Sequence, residues 1–175
     1  MKRFFDFSLS IILLVILALF AVLLSLILLI SQGNPILFWS ERVGRNNCIF
    51  LMPKFRTMRT GTPNVASHLL KDADIRITPI GNFLRKTSLD EFPQLFSILK
   101  GDMSFVGPRP ALYNQYDLIK LRNKYGLDKL KPGLTGWAQV NGRDDISIQE
   151  KVKLDAQYKD VRSIRMDLKV IFLNI

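Results

Sequence analysis

An uninterrupted apolar run near the N-terminus constrains this chain more than any other feature. Residues 7–30 contain no charge, no proline and no glycine, and only three serines among them are polar. As one α-helix the run would be about 36 Å long, against a bilayer hydrocarbon core of about 30 Å. A cleaved signal peptide fits poorly, because its apolar region is about 7–15 residues long and ends at small residues. The run therefore predicts a retained, membrane-embedded segment over residues 1–32.

The remainder of the chain, residues 33–175, is long enough for one compact domain. The formal net charge is +10, and nearly all of it lies after residue 32. A basic domain beside a membrane segment is expected on the cytoplasmic side, drawn to anionic lipid headgroups or to phosphate-bearing substrates. The sequence shows no helix-turn-helix, zinc-finger or stacking-aromatic pattern, so we expect membrane lipids and no nucleic acid as partners.

Several common catalytic arrangements are excluded by the residues present. A single cysteine, Cys48, permits neither an intrachain disulfide nor a multi-cysteine metal site. The single histidine, His68, lies in a polar stretch and is expected to be a solvated loop residue, since no G-x-S-x-G elbow accompanies it. Neither a Walker nor a Rossmann glycine motif occurs. The chemistry must therefore come from carboxylates, arginines and a divalent ion.

The pattern of the domain predicts an α/β fold in which helices dominate and strands are few and short. The stretch "ITPIGNFLRKTSLDEFPQLFSIL" predicts two short helices separated by polar caps, and residues 147–160 predict an amphipathic helix. Residues 137–140 are expected to form a short strand. An apolar stripe near the end of the chain predicts a second amphipathic helix, which either packs in the core or lies in the membrane interface, and we favour the interface. Its members are Ile164, Leu168, Ile171, Phe172 and Ile175.

Two adjacent carboxylates, Asp90 and Glu91, stand between the two short helices. A purely structural interpretation is a capping box from Ser88 to Glu91, in which side chains satisfy the first free N–H groups of a helix. Alternatively Asp90 is itself the N-cap, which places Pro93 in the first helical turn, where proline is tolerated. The residues alone leave both this structural role and a catalytic role open.

Four motifs in order distinguish the chain: "KRFFDF" before the apolar run, "PKFRTM", "LRKTSLDEFPQLFSILKGDMSFVGPRP" and "KPGLTGWAQVNGR". Each is weak alone, but together they cover essentially the whole chain. This combination resembles the bacterial sugar transferases, the small monotopic phosphoglycosyl transferases that begin glycan assembly on a polyprenol phosphate.

The resemblance implies an activity. Enzymes of this kind transfer a sugar-1-phosphate from a UDP-sugar to undecaprenyl phosphate and release UMP, at the cytoplasmic face of the bacterial inner membrane. The step would begin the assembly of an O-antigen, capsule, exopolysaccharide or glycoprotein. The family's Asp-Glu pair matches Asp90 and Glu91. Asp90 would form a covalent phosphosugar intermediate, and Glu91 would assist through Mg²⁺ binding or proton transfer, which makes both carboxylates candidate metal ligands.

Other site residues follow from the same motifs. A carboxylate that accepts a phosphoryl group from a dianionic donor needs compensating positive charge, and arginine can bind phosphate bidentately. The candidate phosphate-binding residues are Arg56, Arg85, Arg109 and Arg143. The candidate residues for contact with nucleotide or sugar are Gln139 and Asn141.

The membrane segment departs from the family pattern. Small members carry a Ser-Pro pair that breaks the helix, so that it re-enters the cytoplasmic face, whereas Ala18-Leu19 stands at that place here. An unbroken apolar helix favours a simple span, because every backbone group is satisfied in lipid. The charges of Lys2 and Arg3 oppose that orientation, since positive flanks stay on the cytoplasmic side. We therefore expect a re-entrant helix.

A different class of function remains open from the residues. The chain can also be a non-catalytic, membrane-anchored basic module that binds anionic lipid or nucleic acid. In that case charges at the rim would dominate binding, which would weaken steeply with salt, and Asp90 would have no role.

Overall fold

The computed structural model describes residues 2–63, 73–142 and 146–174, without the side chains of residues 73 and 74. Helices dominate this part of the chain, as predicted. They are α1 (Lys2–Ile16), α2 (Ala18–Gln32), α3 (Ala73–Arg76), α4 (Pro79–Thr87), α5 (Gln94–Lys100), α6 (Tyr116–Lys124), α7 (Trp137–Val140), α8 (Ile148–Val161) and α9 (Ile164–Leu173). Single 3-10 turns cover Arg45–Asn47 and Leu89–Glu91.

The strands form two small sheets. Strand β1 (Leu37–Val43) pairs antiparallel with β2 (Ile49–Phe55), in a register that places Leu37 opposite Phe55. Strand β3 (Ser104–Val106) pairs in parallel with β4 (Gly133–Thr135). The predicted strand over residues 137–140 is wrong: these residues form the helical turn α7, and the strand precedes them as β4.

The apolar run does not form the straight helix that its composition favours. No unbroken helix in the described residues is long and apolar enough to cross a membrane, but α1 and α2 together are, and they meet at a bend of 62°. The bend is at Leu17, whose ψ of 4° departs from helical geometry, next to Ala18-Leu19. Leu17 N still donates to Leu13 O, and Leu17 O still accepts from Ala21 N, so the backbone stays bonded on both sides.

Charged side chains fasten the start of α1 to the rest of the protein. Lys2 Nζ donates to Val106 O at 2.9 Å and to the Asp167 carboxylate, while the Arg3 guanidinium donates to the last carbonyls of α5. Asp6, only 3% exposed, accepts a hydrogen bond from Phe105 N. The polar residues of the first motif therefore hold the N-terminal end of α1 against β3, α5 and α9.

The far end of the helix pair is fastened to the same body. The buried Arg56 guanidinium donates to the carbonyls of Gln32, Gly33 and Asn34, which satisfies acceptors at the C-terminal end of α2. Leu24 and Leu28 of α2 are buried in a cluster with Phe55 and Leu84. Both ends of the helix pair are therefore anchored to the same body, on either side of the bend at Leu17.

Close backbone packing joins the two glycine-rich motifs. A Cβ at Gly133 would lie 2.2 Å from Gly107 N, and a Cβ at Gly136 would lie 2.2 Å from Gly107 O. Gly107 N donates to Thr135 O, and Gly133 N donates to Pro108 O at 2.9 Å. Only glycine permits this approach, so the glycines of "FVGPRP" and "KPGLTGW" bring the β3 and β4 segments together.

Helix α4 has clear boundaries in sequence and structure. Thr78 caps its N-terminus by accepting from Gly81 N, with Pro79 in the first turn. Ser88 ends it in the left-handed conformation, with φ of 57°. This reversal of the chain starts the turn Leu89–Glu91.

The C-terminal helices agree with the predicted amphipathic pattern. Helix α9 buries Asp167 and Val170 and leaves Ile164, Leu168 and Phe172 exposed, whereas Ile171 of the predicted stripe is half-buried and packs against the core. Its place in a membrane interface stays a prediction, as does the division of the chain after residue 32, where α2 ends. His68, Arg143 and Ile175 lie outside the described residues.

Candidate active site

The two adjacent carboxylates occupy the 3-10 turn Leu89–Glu91, between α4 and α5. The capping interpretation is wrong. Ser88 and Asp90 make no capping hydrogen bond, and α5 starts only at Gln94 after Pro93. Asp90 is instead 7% exposed, in a turn whose shape is set by the left-handed Ser88. The structural role that competed with catalysis is therefore absent.

Glu91 is held by two cations. Its Oε1 accepts from Lys54 Nζ at 2.6 Å and from Arg109 Nη2 at 2.6 Å, while Oε2 lies 3.5 Å from Arg109 Nη1. Burial alone would raise the pKa of Glu91, but Arg109 and Lys54 outweigh it and hold the pKa at about 2. Glu91 is consequently ionised throughout the neutral range and serves as the anionic centre of a cationic cluster.

Asp90 has a different environment. Burial raises the pKa of Asp90 above its usual 3.8, the charge of Lys54 opposes that rise, and neighbouring Glu91 adds to it. Lys54 Nζ lies 3.7 Å from Asp90 Oδ2. Asp90 thus lacks the close charge-assisted bonds that stabilise Glu91, so its carboxylate is the more basic and the more nucleophilic of the two.

Hydrogen bonds to the backbone fix the loop that carries Arg109. Arg122 Nη1 donates to Arg109 O at 2.7 Å, and Arg42 Nη1 donates to Pro110 O at 3.2 Å. Arg122 is itself held by two bonds to the buried Asp155, at 3.1 and 2.7 Å. With the glycine contacts of Gly107, these bonds fix the backbone on which the Arg109 side chain reaches Glu91.

These groups line a cleft of about 830 Å³. Its wall carries Asp90 and Glu91 together with six basic side chains, and Leu13 of the apolar helix α1 forms part of the same wall. A concentration of guanidinium and ammonium groups around buried carboxylates suits a ligand that brings several negative charges. The basic residues are Arg42, Lys54, Arg56, Arg59, Arg85 and Arg109.

The structure brings together most of the predicted site residues. Arg85 lines the cleft and donates from Nε to Thr57 Oγ1 at 2.9 Å, which leaves its terminal nitrogens for a ligand. Arg56 also lines the cleft, but its guanidinium is engaged with the carbonyls that end α2. Gln139 lines the cleft, with its Oε1 buried and unbonded in the described structure. Asn141 is exposed and donates to Trp137 O, outside the cleft lining.

Three cationic residues of the cleft, Arg42, Lys54 and Arg59, were not among the sequence candidates. Lys54 and Arg42 come from the β1–β2 hairpin, far in sequence from the carboxylates that they approach. A usable signal existed for Lys54, because it stands in a strand between the apolar residues Pro53 and Phe55, where a lysine needs a partner. Burial lowers the pKa of Lys54 while Glu91 opposes that change, and burial together with Arg109 lowers the pKa of Arg42 to about 10.

The protein supplies only part of the ligand set that a hard cation requires. Among the described residues no three His, Cys, Asp or Glu side chains converge as a ready metal site. Magnesium, however, is often bound by one or two carboxylates and completed by substrate phosphate and water. Asp90 and the more weakly bonded Oε2 of Glu91 would suit that type of shared site, since Glu91 Oε1 already accepts from Lys54 and Arg109.

Comparisons with known proteins agree with this geometry. A galactosyl transferase, CpsE, of Streptococcus agalactiae serotype III (strain NEM316) is 41% identical over 186 residues, covering 99% of this chain and 41% of that protein. EpsL of Bacillus subtilis (strain 168), named an uncharacterized sugar transferase, is 39% identical and is covered to 85%. The UDP-glucose:undecaprenyl-phosphate glucose-1-phosphate transferase of Escherichia coli (strain K12) is 36% identical.

The extent of these matches differs. All of this chain aligns with the Escherichia coli protein but spans only 39% of it, so two of the three relatives are more than twice as long as the matched region. The family model described as Bacterial sugar transferase matches residues 1–175. Since that match covers the whole chain, the protein belongs to the bacterial sugar transferase family.

Proposed function

We propose that this protein transfers a sugar-1-phosphate from a UDP-sugar to undecaprenyl phosphate and releases UMP, as the first membrane step in the assembly of a bacterial glycan. Relatives named as undecaprenyl-phosphate glucose and galactose phosphotransferases support this reaction class. The single observation that carries the proposal is the cleft itself. It joins the weakly paired carboxylate of Asp90, a set of phosphate-binding cations and the apolar helix α1 in one wall.

In the first step Asp90 would attack the phosphorus that bears the sugar. A bond forms from a carboxylate oxygen to that phosphorus, and the bond to the bridging oxygen of the diphosphate breaks. The bonding electron pair leaves with UMP. In the second step an oxygen of undecaprenyl phosphate attacks the same phosphorus, and the electron pair of the acyl phosphate bond returns to Asp90.

The charges around Asp90 suit both steps. Phosphoryl transfer depends mostly on positioning and on neutralising the oxygens of the transferred group. Arg85 and Arg109 are placed to bind phosphate oxygens, and Lys54 is placed between the two carboxylates. Because Glu91 takes up the charge of Lys54 and Arg109, it holds these cations in position before substrate arrives.

We also propose a magnesium requirement. Asp90 and Glu91 would hold the ion together with diphosphate oxygens, where it would neutralise charge on the leaving UMP. Excess chelator should therefore abolish UMP release by the purified chain, and added Mg²⁺ should restore it. Full turnover in excess chelator would contradict a metal role for these carboxylates.

The apolar helix pair supports a placement at the cytoplasmic face of the inner membrane. Lys2 and Arg3 at one end of the pair and Gln32 at the other contact the same body. A pair that begins and ends on one body suits a re-entrant segment, and the exposed stripe of α9 suits the interface beside it. The cleft would then open where a soluble donor and a lipid-borne acceptor meet.

The decisive experiment measures the intact mass of the purified chain after incubation with donor alone, across a panel of UDP-sugars. Wild type should gain one phosphosugar and release stoichiometric UMP. Asp90→Asn is nearly isosteric and should remain folded while gaining no mass. Glu91→Gln should slow turnover without necessarily abolishing the adduct. Asp160→Asn, which changes an exposed aspartate on α8, is the matched control and should behave as wild type.

An Asp90→Asn protein that still gains the phosphosugar mass would remove Asp90 as the nucleophile. Absence of adduct and of UMP release with every donor would contradict the transferase reaction itself. The non-catalytic basic module is disfavoured by the family assignment, and it predicts no difference between Asp90→Asn and Asp160→Asn.

A further inference from the structure

A second cavity lies at the start of the membrane helix. Its volume is about 810 Å³, close to that of the carboxylate cleft, and the two share no lining residue among those described. Its walls come from the N-terminal end of α1, the β1–β2 turn, the segment before β4, and the ends of α8 and α9. Nothing in the proposed transfer reaction uses it.

The cavity is strongly basic. Seven Lys and Arg side chains line it, against two aspartates, Asp6 and Asp167. Asp167 is already paired with Lys2 and accepts from Tyr158, while Asp6 accepts from Phe105 N. Both aspartates therefore already accept hydrogen bonds, and they offset only part of the positive charge of the wall, where Asp6 opposes the effect of Arg3 and Arg45 on Lys131.

Several of these cations have no acidic partner in the described residues. Arg45, Lys129 and Arg162 are exposed and make no ion pair there. Lys131 Nζ and the Arg3 guanidinium both crowd the same point beside Gly101, at 3.4 and 3.2 Å from where a Cβ would lie. Burial, followed by the charges of Arg3 and Arg45, lowers the pKa of Lys131. Like charges held this close are stabilised by a bound anion.

Apolar surface borders the cavity. Ile164 at the start of α9 lines the cavity and is itself exposed. One turn further along α9, Leu168 is exposed. A ligand that fits here carries both a negative charge and acyl chains, which a free phosphate does not.

We propose that this cavity binds the phosphodiester headgroup of an anionic phospholipid. Lys129, Lys131, Arg45 and Arg162 contact the phosphate, and the acyl chains continue over Ile164 and the exposed face of α9. The identification of the bound anion as a lipid headgroup depends on the membrane placement proposed above. The anion site itself depends only on the charges of the wall. Basic pockets beside membrane helices on the cytoplasmic side recognise anionic headgroups in this way.

The test uses the purified full chain in a neutral detergent and short-chain phosphatidylglycerol as the probe. Binding is followed by native mass spectrometry and calorimetric titration, with short-chain phosphatidylcholine and inorganic phosphate as comparison ligands. The double variant Lys129→Gln/Lys131→Gln should bind phosphatidylglycerol roughly tenfold more weakly. The control Lys120→Gln/Lys124→Gln removes the same charge from exposed positions on α6 and should bind as wild type.

The outcomes are distinct. Equal affinity for phosphatidylcholine, or unchanged binding by the Lys129→Gln/Lys131→Gln protein, would overturn the site. Inorganic phosphate that competes with phosphatidylglycerol at similar concentration would overturn the lipid source. Asp90→Asn should bind the probe as wild type does, because Asp90 lies in the other cleft, so failure of the transferase proposal leaves this measurement intact.

Discussion

Asp90 and Glu91 are neighbours in sequence, yet the fold changes their pKa values in opposite directions. Burial raises the pKa of Asp90, while Arg109 and Lys54 overcome burial and lower the pKa of Glu91 to about 2. Adjacent carboxylates with divergent environments are the usual way in which one site obtains two roles. Here one carboxylate organises the cations, and the other stays available to react.

Lys54 lies near both carboxylates, and its charge therefore influences the pH at which adduct formation is lost on acidification. Asp90 reacts when ionised, so adduct formation falls as pH drops through its pKa, and a raised pKa places this loss at higher pH than for an ordinary aspartate. Lys54→Gln removes a charge that opposes the rise, so the pKa of Asp90 increases further. The acid limb of single-turnover adduct formation should move to higher pH.

The test depends on the pH at which this acid limb lies, rather than on the rate of adduct formation. Lys54→Gln also weakens phosphate binding and lowers the rate at every pH, whereas Lys120→Gln, an exposed lysine on α6, should leave both unchanged. A limb that stays in place in Lys54→Gln would show that another group titrates there.

The sequence identified the reacting pair and Arg109 through motifs, but not the full set of cations. Lys54 and Arg42 are more than thirty residues from Asp90 and reach the site only because the β1–β2 hairpin folds over the turn Leu89–Glu91. Arg56 illustrates a second limit of prediction from sequence. It stands in a recognisable motif, but its guanidinium is occupied by the end of α2, which no local pattern reveals.

At the scale of elements, the buried pair Arg122–Asp155 joins α6, α8 and the loop that presents Arg109. Breaking a buried ion pair from one side costs about 3–5 kcal/mol, because the other charge is left uncompensated. Asp155→Asn should therefore lower the free energy of unfolding by about that amount. It should also lower the adduct rate in the protein that remains folded, since Arg122 no longer fixes Arg109 O.

An exposed pair provides the comparison. Lys100 and Asp102 are 3.0 Å apart with side chains 76% and 28% exposed, so Asp102→Asn should change stability by at most about 1 kcal/mol. Denaturant unfolding and single-turnover kinetics measure the two effects separately. Equal stability of the two variants, or an unchanged adduct rate in Asp155→Asn, would argue against a positioning role for Asp155.

Helices α4, α5, α8 and α9 were predictable because local signals agree with their tertiary context. Thr78 with Pro79 marks the start of α4, and Gly101 ends α5 in the left-handed conformation. The error at the turn Leu89–Glu91 arose because serine commonly begins a helix as its N-cap, whereas Ser88 ends α4 in the left-handed conformation. The strand was predicted a few residues too late in the chain. Gly133 in β4 is required by its close contact with Gly107, which strand propensity does not indicate.

At the scale of the whole molecule, the anchoring of both ends of α1 and α2 predicts a membrane topology. In a Cys48→Ser background, Phe4→Cys places a thiol at an exposed position beside the N-terminus. An impermeant thiol reagent added to intact cells should not label it, because a re-entrant segment keeps this position with the catalytic body. Permeabilised cells should label it fully.

Lys120→Cys in the same background marks the body itself and should follow the same pattern. Labelling of Phe4→Cys from outside, with Lys120→Cys protected, would show that the helix pair spans the membrane. The bend at Leu17 would then lie within a membrane-spanning segment.

The fastening of Lys2 has a consequence for the order of synthesis. Its partners Tyr158 and Asp167 lie 156 and 165 residues later in the chain, so the ribosome makes the membrane segment well before the residues that bind Lys2. At about 5–20 residues per second, the N-terminal helix waits on the order of ten seconds or longer before α8 and α9 exist. During that interval the nascent chain carries the apolar pair without the partners of Lys2, and the synthesis of α9 supplies the Asp167 carboxylate that binds it.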